Sequence, residues 1–156
     1  MSGISFLQGT LLFSLLLLAS CNADRLPNQR MFLESIASGN EIEMTSQGQT
    51  YRVRLCGVDV PAKQDGQARK LLKKLTDLTD EEAKGLVVVT VRSDGNTIRA
   101  EVYAPTTNQD EETSLNAELL AAGLARTTGE SCPNRETFQS IEQDAKEQRL
   151  GLWGHQ

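Results

Sequence analysis

The sequence predicts an α+β domain that is mainly β, with five strands and three helices spread over residues 31–156. Three observations carry that expectation. Short runs in which apolar and polar residues alternate are punctuated by Ser38-Gly39-Asn40 and Gln47-Gly48-Gln49, residue types that turn a chain tightly. A β-branched run, Leu86-Val-Val-Val-Thr-Val91, leads to Asp94-Gly95, the pattern of a buried strand entering a hairpin. Helical spacing is confined to three segments, one after the third strand and two at the end of the chain.

Met31 to Ser38, with Met, Phe, Leu and Ile, reads as the first strand. Glu41 to Thr45 is the second, with Ile42 and Met44 on one face. The third places Tyr51, Val53, Leu55 and Gly57 on one side and Arg52, Arg54 and Cys56 on the other, because side chains alternate along a strand. Gln67 to Leu75 changes period: Ala68, Leu71, Leu72 and Leu75 fall at i, i+3, i+4 and i+7 of a helix. Leu86 to Val91 is the fourth strand. The fifth turns Ile98, Ala100, Val102 and Ala104 inward and stops at Pro105. Pro105 to Thr113 reads as a polar, acidic loop. Leu115 to Leu124 is a helix with Ser114 at its N-cap, and Asn134 to Gln148 is another, with Phe138, Ile141 and Ala145 along one side. This order suits a Greek-key barrel of the OB type with appended helices.

The domain is preceded by two short segments. Residues 1–20 carry no charged side chain, and Leu11 to Leu18 is an apolar core too short to span a bilayer comfortably. It reads as a signal peptide. Leu18-Ala19-Ser20-Cys21 resembles the bacterial lipobox, which implies acylation of Cys21 with palmitate-type chains and a lipid anchor in the membrane. A cleaved, unlipidated secretory signal and a true membrane span are the alternatives. Asn22 after the Cys implies that outer-membrane sorting is permitted, with a periplasm-facing anchor the other outcome. Residues 21–30 then form the lipidated N-terminus and a polar tether.

The chain has 16 Lys and Arg against 21 Asp and Glu, a net charge of −5. An acidic domain is a poor general ligand for a polyanion, so nucleic acid is expected to bind weakly or not at all. The clustered bases Lys63, Arg69, Lys70, Lys73 and Lys74 fit a solvated helix face. Of the three Cys, Cys56 and Cys132 are left as a candidate disulfide once Cys21 is assigned; two unrelated buried thiols are the alternative. The one histidine, His155, stands next to the last residue, which leaves no His for a nucleophilic triad. No cofactor is expected.

Residues 51–62, Tyr-Arg-Val-Arg-Leu-Cys-Gly-Val-Asp-Val-Pro-Ala, resemble the central strand and turn of the staphylococcal nuclease (thermonuclease) family, R-L-x-G-(I/V)-D-(A/T)-P-E. Arg54, Gly57, Asp59 and Pro61 match. So do three further segments: Thr97 to Tyr103 apart from its first position, Asn116 to Ala125, and Ala145 to Trp153. The resemblance covers residues 31–153 and implies a staphylococcal-nuclease-like OB barrel. It also implies a reaction. A glutamate activates water against a phosphodiester, two arginines neutralise the transition state, and aspartates hold calcium.

Carried over position by position, that machinery is incomplete. Arg54 retains the first arginine's place and Asp59 a metal-binding aspartate's. The base aligns with Ala62 and the second arginine with Thr97. The family's D-G-D-(T/S) metal turn aligns with Ser38-Gly39-Asn40-Glu41, where Asn40 offers at most a neutral oxygen. Arg99, two residues past Thr97, is a candidate substitute, and Glu41 and Asp65 are candidate shifted carboxylates. Arg54 and Asp59 also have a purely structural reading, in which they pair with each other or with turn amides and hold the strand–turn–helix junction. The expectation is therefore a membrane-anchored domain that no longer hydrolyses nucleic acid and serves as a binding or structural module for an unidentified envelope protein. The alternatives are a divergent calcium-dependent nuclease and a non-catalytic anion binder with a basic patch at Arg52, Arg54, Lys63 and Arg99.

Overall fold

The computed structural model describes residues 28–77, 85–106 and 111–154. The signal peptide, the lipobox with Cys21, and His155 lie outside the described residues. Strands β1 (Gln29–Ser38), β2 (Glu41–Ser46) and β3 (Gln49–Leu55) form an antiparallel meander, and β5 (Leu86–Asp94) and β6 (Thr97–Pro105) form a hairpin. The sheet runs β3-β2-β1-β5-β6 and closes on itself through a parallel β3–β6 pairing, Arg52↔Thr97 to Leu55↔Ala100. The result is a closed five-stranded barrel, the OB-type architecture predicted from the turn and strand spacing.

The period-2 residues fill it. Ile42, Met44, Val53, Ile98, Ala100 and Val102 are fully buried, each on the face the alternation assigned. Helix α1 (Asp65–Thr76) packs Ala68 and Leu72 into the barrel, and α2 (Leu115–Ala121) contributes Leu115, Leu119 and Leu120. Ser114 caps α2 by accepting the Ala117 N–H at 3.2 Å. Helix α3 (Arg135–Glu147) seats Phe138 in the same core, with Ile141 packed against it. Burial of such side chains stabilises the fold by roughly 1.5–3 kcal/mol each.

The structure departs from the sequence reading at several points. The tether is shorter than 21–30, because Gln29 and Arg30 already pair with Val88 and Val87 of β5. The third strand ends at Leu55 rather than Gly57, since Gly57 turns the chain with φ +76°, a conformation that costs glycine little. Cys56, placed by alternation on the arginine face, is instead 1% exposed, because the turn swings it inward. A two-residue strand β4 (Val58–Asp59) pairs with β8 (Arg126–Thr127). Strand β7 (Glu112–Ser114) lies against β6 within the stretch expected to be loop. Helix α2 ends three residues before Leu124: Gly123 takes φ +66°, and a Cβ there would stand 2.3 Å from the Leu150 carbonyl oxygen.

Two polar clusters lock α3 to the barrel. Glu101 is fully buried and accepts the Asn134 backbone N–H at 2.8 Å, its side-chain amide at 2.6 Å and the Tyr103 hydroxyl at 2.8 Å. Glu142 accepts from the Thr127 backbone and hydroxyl and from Lys146, whose ammonium also lies 4.7 Å from the Trp153 ring centroid.

Both clusters make stability depend on pH. Burial, then the hydrogen bond and charge of Glu101, push the Tyr103 hydroxyl from 10.0 to about 12. Below pH 10 both folded and unfolded chains hold the proton. Above it the unfolded chain ionises first, so stability falls as pH rises from 10 to about 12. For Glu142, burial opposes ionisation, but Lys146 and Thr127 outweigh it and hold the carboxyl below its ordinary value. Its contribution is present above the ordinary carboxylate range and is lost as pH falls through the lowered value. Urea titrations across alkaline pH check the first statement: Tyr103→Phe is expected to flatten the decline, and a decline equally steep in that variant refutes it.

Candidate functional site

The outward face of β3 carries Arg52 and Arg54, because their neighbours Val53 and Leu55 point into the barrel. Two cross-strand registers decide what meets them. Glu41 of β2 lies opposite Arg54, and its two carboxylate oxygens stand 3.3 Å from Arg52 Nε and 3.4 Å from Arg54 Nε. On the other side the parallel pairing sets Arg99 beside Arg54 and Thr97 beside Arg52. Residues in register on adjacent strands share a face, so Arg99 is on the same face as Arg54.

Arg99 does not share Arg54's carboxylate. Its Nη1 is ion-paired with Glu130 Oε1, while Glu130 Oε2 accepts the Gly57 N–H at 3.1 Å. The face thus holds three guanidinium groups from β3 and β6 and two carboxylates from within the chain that pair with them, Glu41 shared by Arg52 and Arg54 and Glu130 held by Arg99. All five side chains are part-exposed, so the contacts are solvent-screened and worth little individually. Their consequence lies in occupancy: an incoming phosphate has to displace a carboxylate already in place.

The remaining predicted positions are spread around this face. Asp59 is exposed on β4, in register with Arg126. The Arg54–Asp59 pair considered from the sequence does not form, because Arg54 faces Glu41. Asn40 is turned into its own corner: its side-chain oxygen accepts the Ser38 hydroxyl at 3.1 Å and its amide reaches the Val58 carbonyl at 3.5 Å. Asp65 accepts the Gly39 N–H at 2.7 Å, so this carboxylate stitches the β1–β2 turn to α1. Ala62 opens the single turn Ala62–Gln64 after Pro61 and brings only a methyl group. Cys56 and Cys132 are joined by a disulfide with a Cα separation of 6.1 Å.

Glu130 is the one member of this site that sequence reasoning passed over. It is 31 residues from Arg99, and no local pattern marks it; its place two residues before Cys132 is the only pointer. Lys63 is exposed on the turn before α1, and Arg69 and Lys73 contact Asp65 and Asp77 of their own helix surface at 4.0 and 3.5 Å. A separate open groove of about 710 Å³ between β1 and α1 is lined by Leu33, Ile36, Arg69, Lys70 and Lys73.

A five-stranded barrel closed by a parallel pair, with an arginine-bearing central strand and two helices packed at its end, defines an OB-type domain of the nuclease kind. Residues 52–155 match the family described as staphylococcal nuclease homologue, and the chain belongs to that family. It is 32% identical over 124 residues to a micrococcal nuclease of Shigella flexneri, covering 76% of this chain and 70% of that protein. An uncharacterised protein of Methanocaldococcus jannaschii is 25% identical over 142 residues, covering 76% of this chain and 68% of its own length.

Proposed function

We propose that this nuclease-family domain does not hydrolyse nucleic acid, and that it acts as a binding or structural module held at the bacterial envelope through lipid on Cys21. The observation that carries the reading is the internal neutralisation of Arg54 by Glu41 and of Arg99 by Glu130. The methyl group of Ala62 stands at the aligned position of the base, and a methyl group takes no proton from water. A general base contributes roughly 10²–10⁴ in rate and an electrostatic stabiliser roughly 10²–10³, so their joint loss brings cleavage to background. Calcium is held most tightly by several charged oxygens; of the aligned positions Asp59 and Glu41 carry them, and both oxygens of Glu41 already face Arg52 and Arg54.

The test is a cleavage assay of residues 22–156 on single-stranded DNA and RNA, with and without calcium. Wild type is expected to equal Arg54→Ala. Calcium-dependent cleavage that Arg54→Ala abolishes refutes the reading. Anchoring is read by labelled palmitate, which wild type incorporates and Cys21→Ala does not; equal labelling of both removes that part.

A divergent calcium-dependent nuclease is the second reading, favoured by the register that sets Arg99 beside Arg54 with Glu130 next to it. In that case Glu130→Gln lowers the calcium-dependent rate along with Arg54→Ala.

A further inference from the structure

The junction behind the arginine face brings two sulfurs up to the Glu130 carboxylate. Cys56 Sγ, Cys132 Sγ and a carboxylate oxygen of Glu130 all lie within 4.8 Å of one another. In the disulfide the sulfurs are bonded to each other. We propose that the reduced form of this junction binds one zinc-class divalent ion through the Cys56 and Cys132 thiolates and the Glu130 carboxylate.

The donors are of the type zinc takes, and three protein ligands leave a fourth position for water. Two thiolates on one tetrahedral zinc stand about 3.8 Å apart, from bonds of about 2.3 Å. That separation asks for rotation of two side chains whose Cα atoms are 6.1 Å apart. The charges close. Two thiolates and one carboxylate supply −3, and the ion with the Arg99 guanidinium supplies +3.

The outer shell is already present: Gly57 N–H and Arg99 both donate to Glu130 and fix the carboxylate, as partners of metal ligands do. Both sulfurs are buried, while the Glu130 side chain is 31% exposed and opens the junction to solvent. This set differs from the aspartate positions that the calcium reaction uses, and the inference does not depend on whether the domain cleaves nucleic acid.

The chemistry balances in two steps. A dithiol gives two electrons and two protons to the Cys56–Cys132 bond and leaves as its own disulfide. Each thiol then loses its proton to solvent as a metal–sulfur bond forms.

The test uses the full chain with Cys21→Ser, so that the third thiol does not contribute. It is reduced with dithiothreitol, desalted without oxygen and titrated with Co²⁺, with circular dichroism recorded at each addition. One equivalent is expected to produce a thiolate-to-cobalt charge-transfer band that Zn²⁺ removes, together with a native spectrum. The oxidised chain and Cys132→Ser are expected to give no band. Glu130→Gln is expected to weaken binding by at least the tenfold or so that loss of an outer-shell partner causes. No band in the reduced chain, or a band that Glu130→Gln leaves at wild-type affinity, overturns the proposal.

Discussion

Replacing Cys56 and Cys132 together with alanine is expected to lower the unfolding free energy by about 4 kcal/mol. The bond joins residues 76 apart in sequence, so it removes a long loop's freedom from the unfolded chain. It also ties the turn after β3 to the segment leading into α3, alongside the Gly57 N–H bond to Glu130 and the β4–β8 pairing. A domain of this size is stable by roughly 5–15 kcal/mol, so the loss is a large fraction of the total. The melting temperature is expected to drop by on the order of 10 °C. Alanine is preferred to serine because both sites are buried, 1% and 7% exposed, and a serine hydroxyl there would need a partner. Urea unfolding of the oxidised wild type against the double variant measures the difference. A loss below about 1 kcal/mol would mean that the unfolded chain is already restricted by other means.

On the proposed reading, supplying the family's residues at four aligned positions is expected to create activity. The variant carrying Asn40→Asp, Glu41→Thr, Ala62→Glu and Thr97→Arg should cleave single-stranded DNA in a calcium-dependent way, at least about 10²-fold above wild type. Each change has a separate job. Asn40→Asp adds a charged oxygen for calcium, Ala62→Glu returns a base, and Thr97→Arg returns a second phosphate-binding arginine. Glu41→Thr frees Arg54 and Arg52, whose guanidinium groups Glu41 holds at 3.4 and 3.3 Å. The order of gains is diagnostic. The three other substitutions with Glu41 retained should give much less than the full set, because the phosphate still meets an occupied arginine. Ala62 and Thr97 are exposed and Asn40 and Glu41 half-buried, so the barrel core is untouched. A folded variant with no gain would show that the strand geometry itself, rather than these side chains, has left the reaction behind.

Most of the barrel was legible because its strands obey a rule that spans only two residues. Ile42 and Met44, Val53 and Leu55, and Ile98, Ala100, Val102 and Ala104 all face inward by alternation alone. Misreadings cluster where alternation fails. Gly57 turns the chain and carries Cys56 inward, and Gly123 ends α2 early against the Leu150 carbonyl. The β4–β8 ladder has two residues per strand, too few to show any period. The positions of Ala62, Thr97 and Asn40 were readable from a resemblance of motifs. What occupies the site was not. The Glu41–Arg54 contact follows from a strand register and the Glu130–Arg99 contact from a fold-back over 31 residues. Neither leaves a mark in local sequence.

The parallel seam between β3 and β6 has a consequence for how the domain is made. The meander β1–β2–β3 consists of neighbours in sequence and can form as the chain emerges. The seam joins Arg52–Leu55 to Thr97–Ala100, so the barrel stays open until α1, β5 and the first half of β6 have been synthesised. Loop closure of that kind costs entropy before any contact repays it, and topologies dominated by such contacts fold slowly. During that interval β3 presents an unpaired edge whose outward side chains are Arg52 and Arg54. Charged residues on an open edge discourage pairing with another chain. The arginines of the outward face of β3 therefore guard the half-built barrel against aggregation.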